Sequence, residues 1–442
     1  MNFETFTRRD FLKSSTVAAG GALLGTLSLE RSAHAAANND TLKIALIGCG
    51  GRGSGAAAHA LTADPNCKLV AMVDAFQDRL DKGLEQIKNK HGDRVAVPEE
   101  NKFVGFDGYK EAIALADVVI LATPPGFRPM HFEEAVRQGK HVFMEKPVAV
   151  DAPGVRRVLA AAAEAKKKNL KVGVGLQRHH QPNYNETIKR LQDGAIGNIV
   201  AARVYWNGGP VGPKYRRAQV AEIVGRQPTE MEFQMRNWYM FNWLCGDHIV
   251  EQHIHNLDVI NWIKGSYPVR VQGMGGRAFQ QGPDSGEIFD HHAAEYEYAD
   301  GTRMFSQCRQ IPNCENNVSE HVIGTRGHAD VNGHKIFGGE TAWRYKKEGQ
   351  SNDGWQLEHY TLFDAIRNDK PYNEAENGAK STLTAIMGRM ATYSGKVIEW
   401  EQALNSTLEL VPKTLAWDAQ PLVLPGADGL YPFAVPGKTV AV

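Results

Sequence analysis

From residue 42 onward, the hydrophobic positions alternate between short unbroken apolar runs and longer stretches with helical period. The apolar runs predict buried strands at residues 42–47, 68–73, 118–122, 141–144 and 170–176. Amphipathic helices are predicted between them, at about residues 53–62, 77–90, 132–138 and 154–168. Strands that are apolar throughout and joined by helices are typical of a parallel sheet covered on both faces. The first part of the chain is therefore predicted to be an α/β domain.

The pattern changes after residue 177, where apolar and polar positions begin to alternate. Strands of a mainly antiparallel sheet are predicted at residues 199–206, 269–273, 293–298 and 303–309. Asp300-Gly301 is a strong signal for a two-residue hairpin. A long aromatic loop is predicted at residues 207–243, one helix at 247–263, and an extended surface tail from Pro421. We therefore expect an α/β protein with one domain at 40–177 and a second, substrate-binding and oligomerisation domain at 178–442.

The composition restricts the kinds of partner. A chain of 442 residues exceeds what one hydrophobic core usually organises, which agrees with two domains. Lys plus Arg and Asp plus Glu both number 50, so the chain has no net positive charge that would attract nucleic acid or anionic lipid. No stretch is long and apolar enough to insert in a membrane. The ligand is therefore expected to be a small molecule recognised in a pocket.

The first 35 residues resemble an export signal. The run Thr7-Arg8-Arg9-Asp10-Phe11-Leu12-Lys13 fits the twin-arginine pattern, and a weakly apolar, Gly- and Ala-rich segment follows it. Ala33-His34-Ala35 then offers the small residues that a signal peptidase cleaves. We expect residues 1–35 to be a twin-arginine signal peptide, recognised by that export machinery. The mature protein is then expected to be periplasmic or otherwise exported.

Five cysteines give no sign of a disulfide framework. They are Cys49, Cys67, Cys245, Cys308 and Cys314. Their number is odd, and no pair has the C-x-x-C spacing of a zinc or redox site. Cys308 and Cys314 could pair in an oxidising compartment, but buried free thiols are the favoured interpretation.

A glycine-rich turn follows the first predicted strand and opens a helix. It reads Gly48-Cys49-Gly50-Gly51-Arg52-Gly53, and Asp74 ends the second predicted strand. This context is what a dinucleotide site requires, since glycines allow a tight turn and close approach of a pyrophosphate to the helix N-terminus. Asp74 would accept hydrogen bonds from ribose hydroxyls and repel a 2′-phosphate. The predicted cofactor is NAD, with NADP less favoured.

The predicted helix at 247–263 gathers polar side chains on one stripe. At about 100° per residue, the stripe is formed by His248, Glu251, His255, Asp258 and Trp262. Such a stripe is either a site or a solvated face, and the tryptophan favours a site.

A metal site is the alternative for the same helix. His248, Glu251 and His255 have ligand spacing, but H-E-x-x-H is absent and hydride chemistry needs no metal. We therefore predict none. In each of the doublets His179-His180 and His291-His292, one packed and one solvated ring is expected, with His180 a candidate contact at the edge of the cleft.

Taken together, the motifs resemble the Gfo/Idh/MocA oxidoreductase family, in particular its glucose–fructose oxidoreductase-like and inositol dehydrogenase-like members. The resemblance rests on the glycine-rich turn, Asp74, Thr123-Pro124-Pro125, Glu145-Lys146-Pro147 and Glu251-x-x-x-His255-x-x-Asp258. It implies an N-terminal Rossmann domain and a C-terminal domain with an open, mainly antiparallel sheet. It also implies that Lys146, Glu251 and His255 surround the reacting carbon. Thr123, Pro124, Glu145 and Lys146 are expected beside the cofactor. Glu251 stands where the family usually has Asp.

The resemblance suggests a division of chemical roles. His255 is the predicted base for a hydroxyl proton, because the ordinary histidine pKa lies near operating pH. Glu251 is expected to orient that ring or stabilise its cation. Lys146 is expected to donate a hydrogen bond to the reacting oxygen.

The substrate wall is predicted in the aromatic loop and at the domain junction. Flat aromatic faces with polar groups nearby suit sugars and other polyols. The predicted substrate contacts are Arg178, Trp206, Arg236, Asn237, Trp238 and Tyr239, and Gln177 is expected to reach the same cleft. Phe233 and Phe241 are expected to be core residues instead.

These features predict an exported NAD-dependent sugar or polyol oxidoreductase that keeps its cofactor bound. Little free NAD exists outside the cytoplasm, so NADH formed in one half-reaction would be reoxidised in the same site. Two alternatives stay open at this point: an NAD-dependent glycosidase acting by transient oxidation and elimination, and a non-catalytic sugar-binding module with structural NAD. The open sheet predicts a homo-oligomer by analogy of fold.

Overall fold

The first part of the chain folds around a parallel sheet of six strands. In this computed structural model, which describes residues 40–338, 342–347, 349 and 351–442, the strands are β1 (Leu42–Ile47), β2 (Cys67–Asp74), β3 (Lys102–Val104), β4 (Val118–Leu121), β5 (His141–Met144) and β6 (Val172–Val174). Their order is β3-β2-β1-β4-β5-β6, and every pairing is parallel. This is the Rossmann order, so the predicted fold class is confirmed. The sequence missed only the edge strand β3, which is short and partly exposed.

Helices cover both faces of this sheet, as the pattern predicted. They are α1 (Gly51–Ala63), α2 (Gln77–His91), α3 (Tyr109–Ala114), α4 (Arg128–Arg137) and α5 (Ala152–Lys167). The N-cap residue of α5, Asp151, accepts a hydrogen bond from the amide of Gly154 at 2.8 Å, which satisfies one free N–H of the first turn. Helix α4 begins four residues earlier than predicted, because Pro129 in its first turn has the fixed φ that a helix start needs.

The second part of the chain is built on a nine-stranded sheet. Its strands are β7 (Ile199–Gly208), β8 (Arg270–Gly276), β9 (His291–Glu297), β10 (Arg303–Gln310), β11 (Asn317–Gly324), β12 (Gly327–Asp330), β13 (Lys335–Gly338), β14 (Trp343–Arg344) and β15 (Ile398–Glu399). The order is β14-β13-β12-β11-β7-β10-β9-β8-β15. Only β7 and β10 run parallel, so the predicted mainly antiparallel sheet is confirmed. The predicted hairpin joins β9 to β10, with Gly301 at a φ of 84°.

Nine further helices follow the Rossmann domain in the described residues. They are α6 (Pro182–Gln192), α7 (Arg217–Val224), α8 (Glu230–Arg236), α9 (Asn242–Cys245), α10 (His248–Glu251), α11 (Ile254–Lys264), α12 (Gly354–Arg367), α13 (Ala375–Ser394) and α14 (Trp400–Leu404). The prediction of one aromatic loop at 207–243 was wrong, because α7, α8 and α9 lie there. A capping box that the sequence reading overlooked starts α8: Thr229 and Glu232 bond each other's backbone amides at 2.8 and 3.2 Å.

The single helix predicted at 247–263 was also wrong. Asp247 has a φ of 76°, outside the helical region, so α10 starts only at His248. The regular hydrogen-bond ladder is then interrupted at Gln252 and His253, where the amide of His253 bonds the carbonyl of His248, five residues back. As a result, the polar stripe is divided between two short helices, α10 and α11.

Helix α12 returns to the first sheet, although it lies far along the chain. Leu362, Phe363 and Ile366 pack into the hydrophobic cluster of β1, β2 and α1. Arg367 fixes the end of α12, with its guanidinium 2.6 Å from the carboxylate of Asp64. Segments from the late part of the chain therefore help to enclose the Rossmann domain.

The remaining predictions concern the cysteines, membrane-spanning segments, the C-terminal tail and the signal peptide. All five cysteines are free thiols, four buried and Cys314 exposed. No helix of the described part of the chain is long and apolar enough to cross a membrane. After α14 the tail is extended and has no regular structure, with Tyr431 buried as an anchor. The predicted signal peptide, residues 1–35, lies outside the described residues.

The core offers a test of packing at Gly388, in the middle of α13. A Cβ there would lie 2.1 Å from the hydroxyl oxygen of Tyr296, which is buried and has no hydrogen-bond partner among the described residues. Gly388→Ala is expected to lower the free energy of unfolding by roughly 1–3 kcal/mol through overpacking, despite alanine's better helix propensity. Tyr296→Phe removes the clashing atom and is expected to restore most of the loss in the double variant. Denaturant unfolding of all four proteins measures this, and additive effects would contradict it.

Candidate active site

A cavity of about 640 Å³ opens at the carboxyl ends of the parallel strands. This edge of a Rossmann sheet is where ligands bind in open α/β folds. Each of five strands contributes a lining residue at or just after its end: Ile47, Asp74, Ala122, Glu145 and Gly175. Residues of the second domain line the same cavity. The cavity-lining residues of both domains that the sequence predicted are Gly48, Gly50, Gly51, Arg52, Gly53, Asp74, Thr123, Pro124, Glu145, Lys146, Gln177, Trp206, Arg236, Trp238, Glu251 and His255.

The glycine-rich turn has the geometry that a pyrophosphate site needs. Gly48 has a φ of 96°, and a Cβ at Gly53 would lie 1.9 Å from the carbonyl oxygen of Gly48. A Cβ at Gly50 or Gly51 would instead meet only open space. No side chain caps the N-terminus of α1. Its first-turn amides and the positive end of the helix dipole are therefore available to phosphate oxygens.

Asp74 lies at the end of β2, where a dinucleotide's adenosine ribose would bind. Its carboxylate accepts hydrogen bonds from the amides of Cys49 at 2.7 Å and Phe76 at 3.0 Å. These bonds fix the carboxylate, and each oxygen retains a lone pair for a ribose hydroxyl. Burial raises the pKa of Asp74, and the two amides oppose that shift. The residues present therefore fit NAD.

Lys146 and Glu251 form a largely buried ion pair between the two domains. The ammonium of Lys146, just after β5, lies 3.1 Å from a carboxylate oxygen of Glu251 in α10. It also donates to the backbone carbonyl of Glu251 at 2.5 Å. Burial raises the pKa of Glu251, and the nearby ammonium opposes the shift. Glu251 thus contacts Lys146, and no hydrogen bond joins it to His255, the ring that the sequence expected it to orient.

His255 lies in the same cavity, and its ring packs against Trp206. The two ring centres are 5.8 Å apart, and the planes are inclined by 23°. The Nδ1 atom of His255 has no hydrogen-bond partner in the described residues. Burial lowers the pKa of the ring well below its usual range, and the positive charges of Lys146 and Arg178 add to this. The ring is therefore neutral and can accept a proton or a hydrogen bond.

A second group of charges lies beside the glycine-rich turn. The guanidinium of Arg52 pairs with Glu145 and lies 3.2 Å from the carboxylate of Glu358 in α12. Glu358 is fully buried, and burial together with Glu145 raises its pKa. Glu358 could not be predicted from sequence, because it and Arg52 lie about three hundred residues apart in the chain.

Segments of the second domain also close over the cavity near Asp74. Arg236 is buried and pairs with Asp78 at 2.9 Å, while Arg79 donates to the hydroxyl of Tyr215 at 3.0 Å. Trp417, from the extended tail, packs against Phe106, with ring centres 4.5 Å apart. We call these three contacts the adenosine clasp. They enclose the end of the cavity that lies next to Asp74.

Three predicted substrate contacts do not line the cavity. Arg178 forms a buried ion pair with Glu320. Asn237 bonds the backbone of Tyr215, accepting at 2.9 Å and donating at 3.0 Å. The hydroxyl of Tyr239 accepts from Gln310 at 2.9 Å. Each of these side chains bonds a partner within the second domain, so it lies behind the residues that line the cavity.

The other histidines also have partners. His248 bonds Gln310 at 2.7 Å, and within the described residues no group of three or more His, Cys, Asp or Glu side chains is arranged to hold a metal. His179 and His180 lie against Asp258 and Glu374 rather than lining the cavity. In the other doublet His292 is buried and His291 partly exposed, and Phe233 and Phe241 are core residues, as predicted.

The sequence reading missed several residues that line the cavity. They are Phe76, Arg79, Phe106, Tyr109, Phe127, Arg128, His131, Lys214, Met235, Gln252 and Trp355. Arg128 is almost fully buried and donates to the carbonyl of Thr123 at 2.7 Å, which fixes the loop after β4. Its position in the first turn of α4, directly before Pro129, was the one available signal.

The Rossmann sheet, the glycine-rich turn and the cavity together form a site that fits a nicotinamide dinucleotide. Residues 42–175 match the family model described as the oxidoreductase family with an NAD-binding Rossmann fold. This part of the chain is thus similar to the Gfo/Idh/MocA family, the family that its motifs indicated.

Curated relatives extend the similarity beyond that domain. An inositol 2-dehydrogenase of Rhizobium meliloti is 26% identical over 52% of this chain and 57% of its own length. A 2,7-anhydro-N-acetylneuraminate hydratase of Escherichia coli is 25% identical over 63% of this chain and 64% of its own length. The chain thus spans less than two-thirds of the length of either relative.

Solved structures share the fold over most of the chain. An aldose-aldose oxidoreductase of Caulobacter crescentus, solved with glycerol, has a TM-score of 0.63 and 19% identity, covering 81% of this chain and 99% of its own. The scyllo-inositol dehydrogenase of Lactobacillus casei, solved with NAD(H) and scyllo-inositol, has a TM-score of 0.60 and 21% identity, covering 82% of this chain and 100% of its own. At this identity the likeness shows the two-domain fold.

The role of Asp74 can be tested through cofactor preference. Asp74→Ser removes a carboxylate that would bond the ribose hydroxyls, and a hydrogen bond to a charged group contributes roughly 1.5–3 kcal/mol. We expect NAD affinity to fall about ten- to a hundredfold. NADP affinity is expected to rise, because a negative charge next to the 2′-phosphate is lost. Calorimetric titration with both cofactors measures this. An unchanged ratio of the two affinities would contradict the assignment.

Proposed function

We propose that this protein transfers a hydride between NAD and a secondary hydroxyl of a sugar or polyol. One observation carries the proposal: a single cavity contains both the glycine-rich cofactor turn and the group Lys146, Glu251 and His255. The relatives named as inositol dehydrogenases support the substrate class. Trp206 and Trp238 add flat apolar walls of the kind that pack against a sugar ring.

The protein's part in the reaction follows from these three side chains. NAD, when bound, accepts or returns the hydride. Lys146 donates a hydrogen bond to the reacting oxygen and stabilises negative charge as it develops there. Glu251 holds the ammonium in place through two acceptors, its carboxylate and its backbone carbonyl. The neutral ring of His255, which lines the cavity, takes the hydroxyl proton and returns it in the reverse direction.

The cofactor is proposed to stay bound through many turnovers. The adenosine clasp supports this, because dissociation of the adenosine end would require three contacts from the second domain to open. We further propose that residues 1–35 direct export by the twin-arginine route, which moves folded proteins with the cofactor already loaded. A cofactor that cannot exchange must be reoxidised in place, so a second sugar or another carbonyl compound would receive the hydride.

The first experiment measures the cofactor and then the turnover. Protein purified without added cofactor is denatured, and the released nucleotide is identified by mass spectrometry; near-stoichiometric NAD is expected. Pairs of sugars and polyols are then screened for exchange of hydride. Lys146→Met is expected to lower kcat/KM about a hundredfold without loss of NAD. Lys68→Met, an exposed lysine on β2, is the matched control.

Two outcomes would contradict this proposal. Equal activity of Lys146→Met and Lys68→Met would remove Lys146 from the reaction. Free exchange of NAD during turnover, with net production of NADH, would exclude the closed cycle while leaving hydride transfer intact.

The pH dependence tests His255 as the proton acceptor. Its pKa is lowered in the folded protein, so the neutral ring persists as pH falls below the ordinary histidine value of about 6.5. The acidic limb of kcat/KM for alcohol oxidation is therefore expected below pH 6.5. His255→Asn is expected to remove that limb together with most of the activity. An acidic limb at or above the ordinary value would contradict the assignment.

A further inference from the structure

Trp355 is the one exposed tryptophan of the eight in the chain. Its side chain is 52% exposed, whereas the other seven are buried or half-buried. It also lines the cavity that contains the cofactor turn and the reacting group. Because burial of an indole ring is strongly favourable, a large aromatic group exposed at a pocket is a candidate contact for a ligand.

The backbone on both sides of Trp355 is held by contacts to the first domain. Gly354 begins α12 in such close contact that a Cβ would lie 2.5 Å from the carbonyl oxygen of Gln177. Gln356 donates to the carbonyl of His59 at 3.1 Å, and Glu358 lies 3.2 Å from Arg52. These contacts attach the first turn of α12 to the first domain on both sides of Trp355. No ring contact between Trp355 and another described aromatic side chain accompanies them.

A polar group without a partner in the described residues lines the same cavity. Gln177 lines the cavity and, through its backbone, touches Gly354. Its Oε1 atom is buried and has no hydrogen-bond partner in the described residues. An amide oxygen left unpaired in a pocket is costly unless a ligand donates to it. A hydroxyl of a ligand packed on Trp355 would meet that need.

We propose that Trp355 and Gln177 form an outer subsite that binds a second ring of the substrate. The inner ring would lie with Lys146, His255 and Trp206, and the outer ring with Trp355 and Gln177, which line the same cavity. A substrate that reaches both is a glycoside, with a second sugar or an aryl group joined to the ring that is oxidised. No bond to that second ring is broken. The inference rests on the proposed function and deepens it by naming the substrate class.

The test compares free hexoses with their aryl glycosides on the NAD-loaded protein. For a hexose that turns over, Trp355→Ala is expected to leave kcat/KM unchanged. For the p-nitrophenyl glycoside of that hexose, kcat/KM is expected to fall about tenfold, through KM, with Trp355→Phe retaining most of it. Tyr360→Ala is the matched control, since Tyr360 is an exposed aromatic residue of α12 that does not line the cavity.

Each other outcome overturns the inference in a recognisable way. Equal loss on hexose and glycoside would place Trp355 beside the inner ring or the cofactor. Loss of bound NAD would show that it covers the dinucleotide, and dissociation of an oligomer would show that a second copy covers it. If the wild-type protein turns over no sugar, the proposed function fails. Saturation-transfer NMR with p-nitrophenyl hexosides then still tests the subsite, and equal transfer with wild type and Trp355→Ala would overturn it.

Discussion

The buried pair of Lys146 and Glu251 is the interaction on which the two halves of the site depend. Removing two charges from water costs several kcal/mol per ion, and only excellent geometry compensates for it. Here one ammonium has two acceptors on a single residue of the partner domain. The pair therefore fixes the end of β5 relative to α10, and with it the distance between the cofactor turn and His255. Placing this costly contact at the centre of the cavity makes sense if the ammonium also acts on a ligand.

Much of the fold could be predicted because it depends on local rules. The strands of the Rossmann sheet are apolar runs, and the glycine-rich turn has a fixed spacing to Asp74. The residues of the cofactor edge follow from the topology, since parallel strands end at the same edge. The second sheet was recognisable from its alternation and from the turn at Asp300-Gly301.

The missed parts depend on contacts distant in sequence or on single dihedral angles. A helical wheel assumes an unbroken helix, and nothing in the sequence of residues 247–263 shows that Asp247 has a positive φ. Helix α12 was assigned no role, because its apolar face does not reveal that it packs on the first sheet, some three hundred residues away. Trp355 was not predicted to line the cavity for the same reason, because it belongs to α12. Arg178, Asn237 and Tyr239 were expected at the ligand because their chemistry suits one, yet the same chemistry satisfies buried partners.

The interruption between α10 and α11 has a consequence for the hydrogen bonds of the backbone. In a continuous helix the carbonyl of Glu251 would accept from the amide of His255. Instead, that amide bonds the carbonyl of Gln252 at 3.3 Å. The break thus releases one main-chain acceptor, and Lys146 takes it. Part of the ammonium's binding site is therefore independent of the side chain at position 251, so this position can change between aspartate and glutamate while the lysine retains an anchor. An irregularity of the main chain gives the site a tolerance to substitution that a regular helix would not allow.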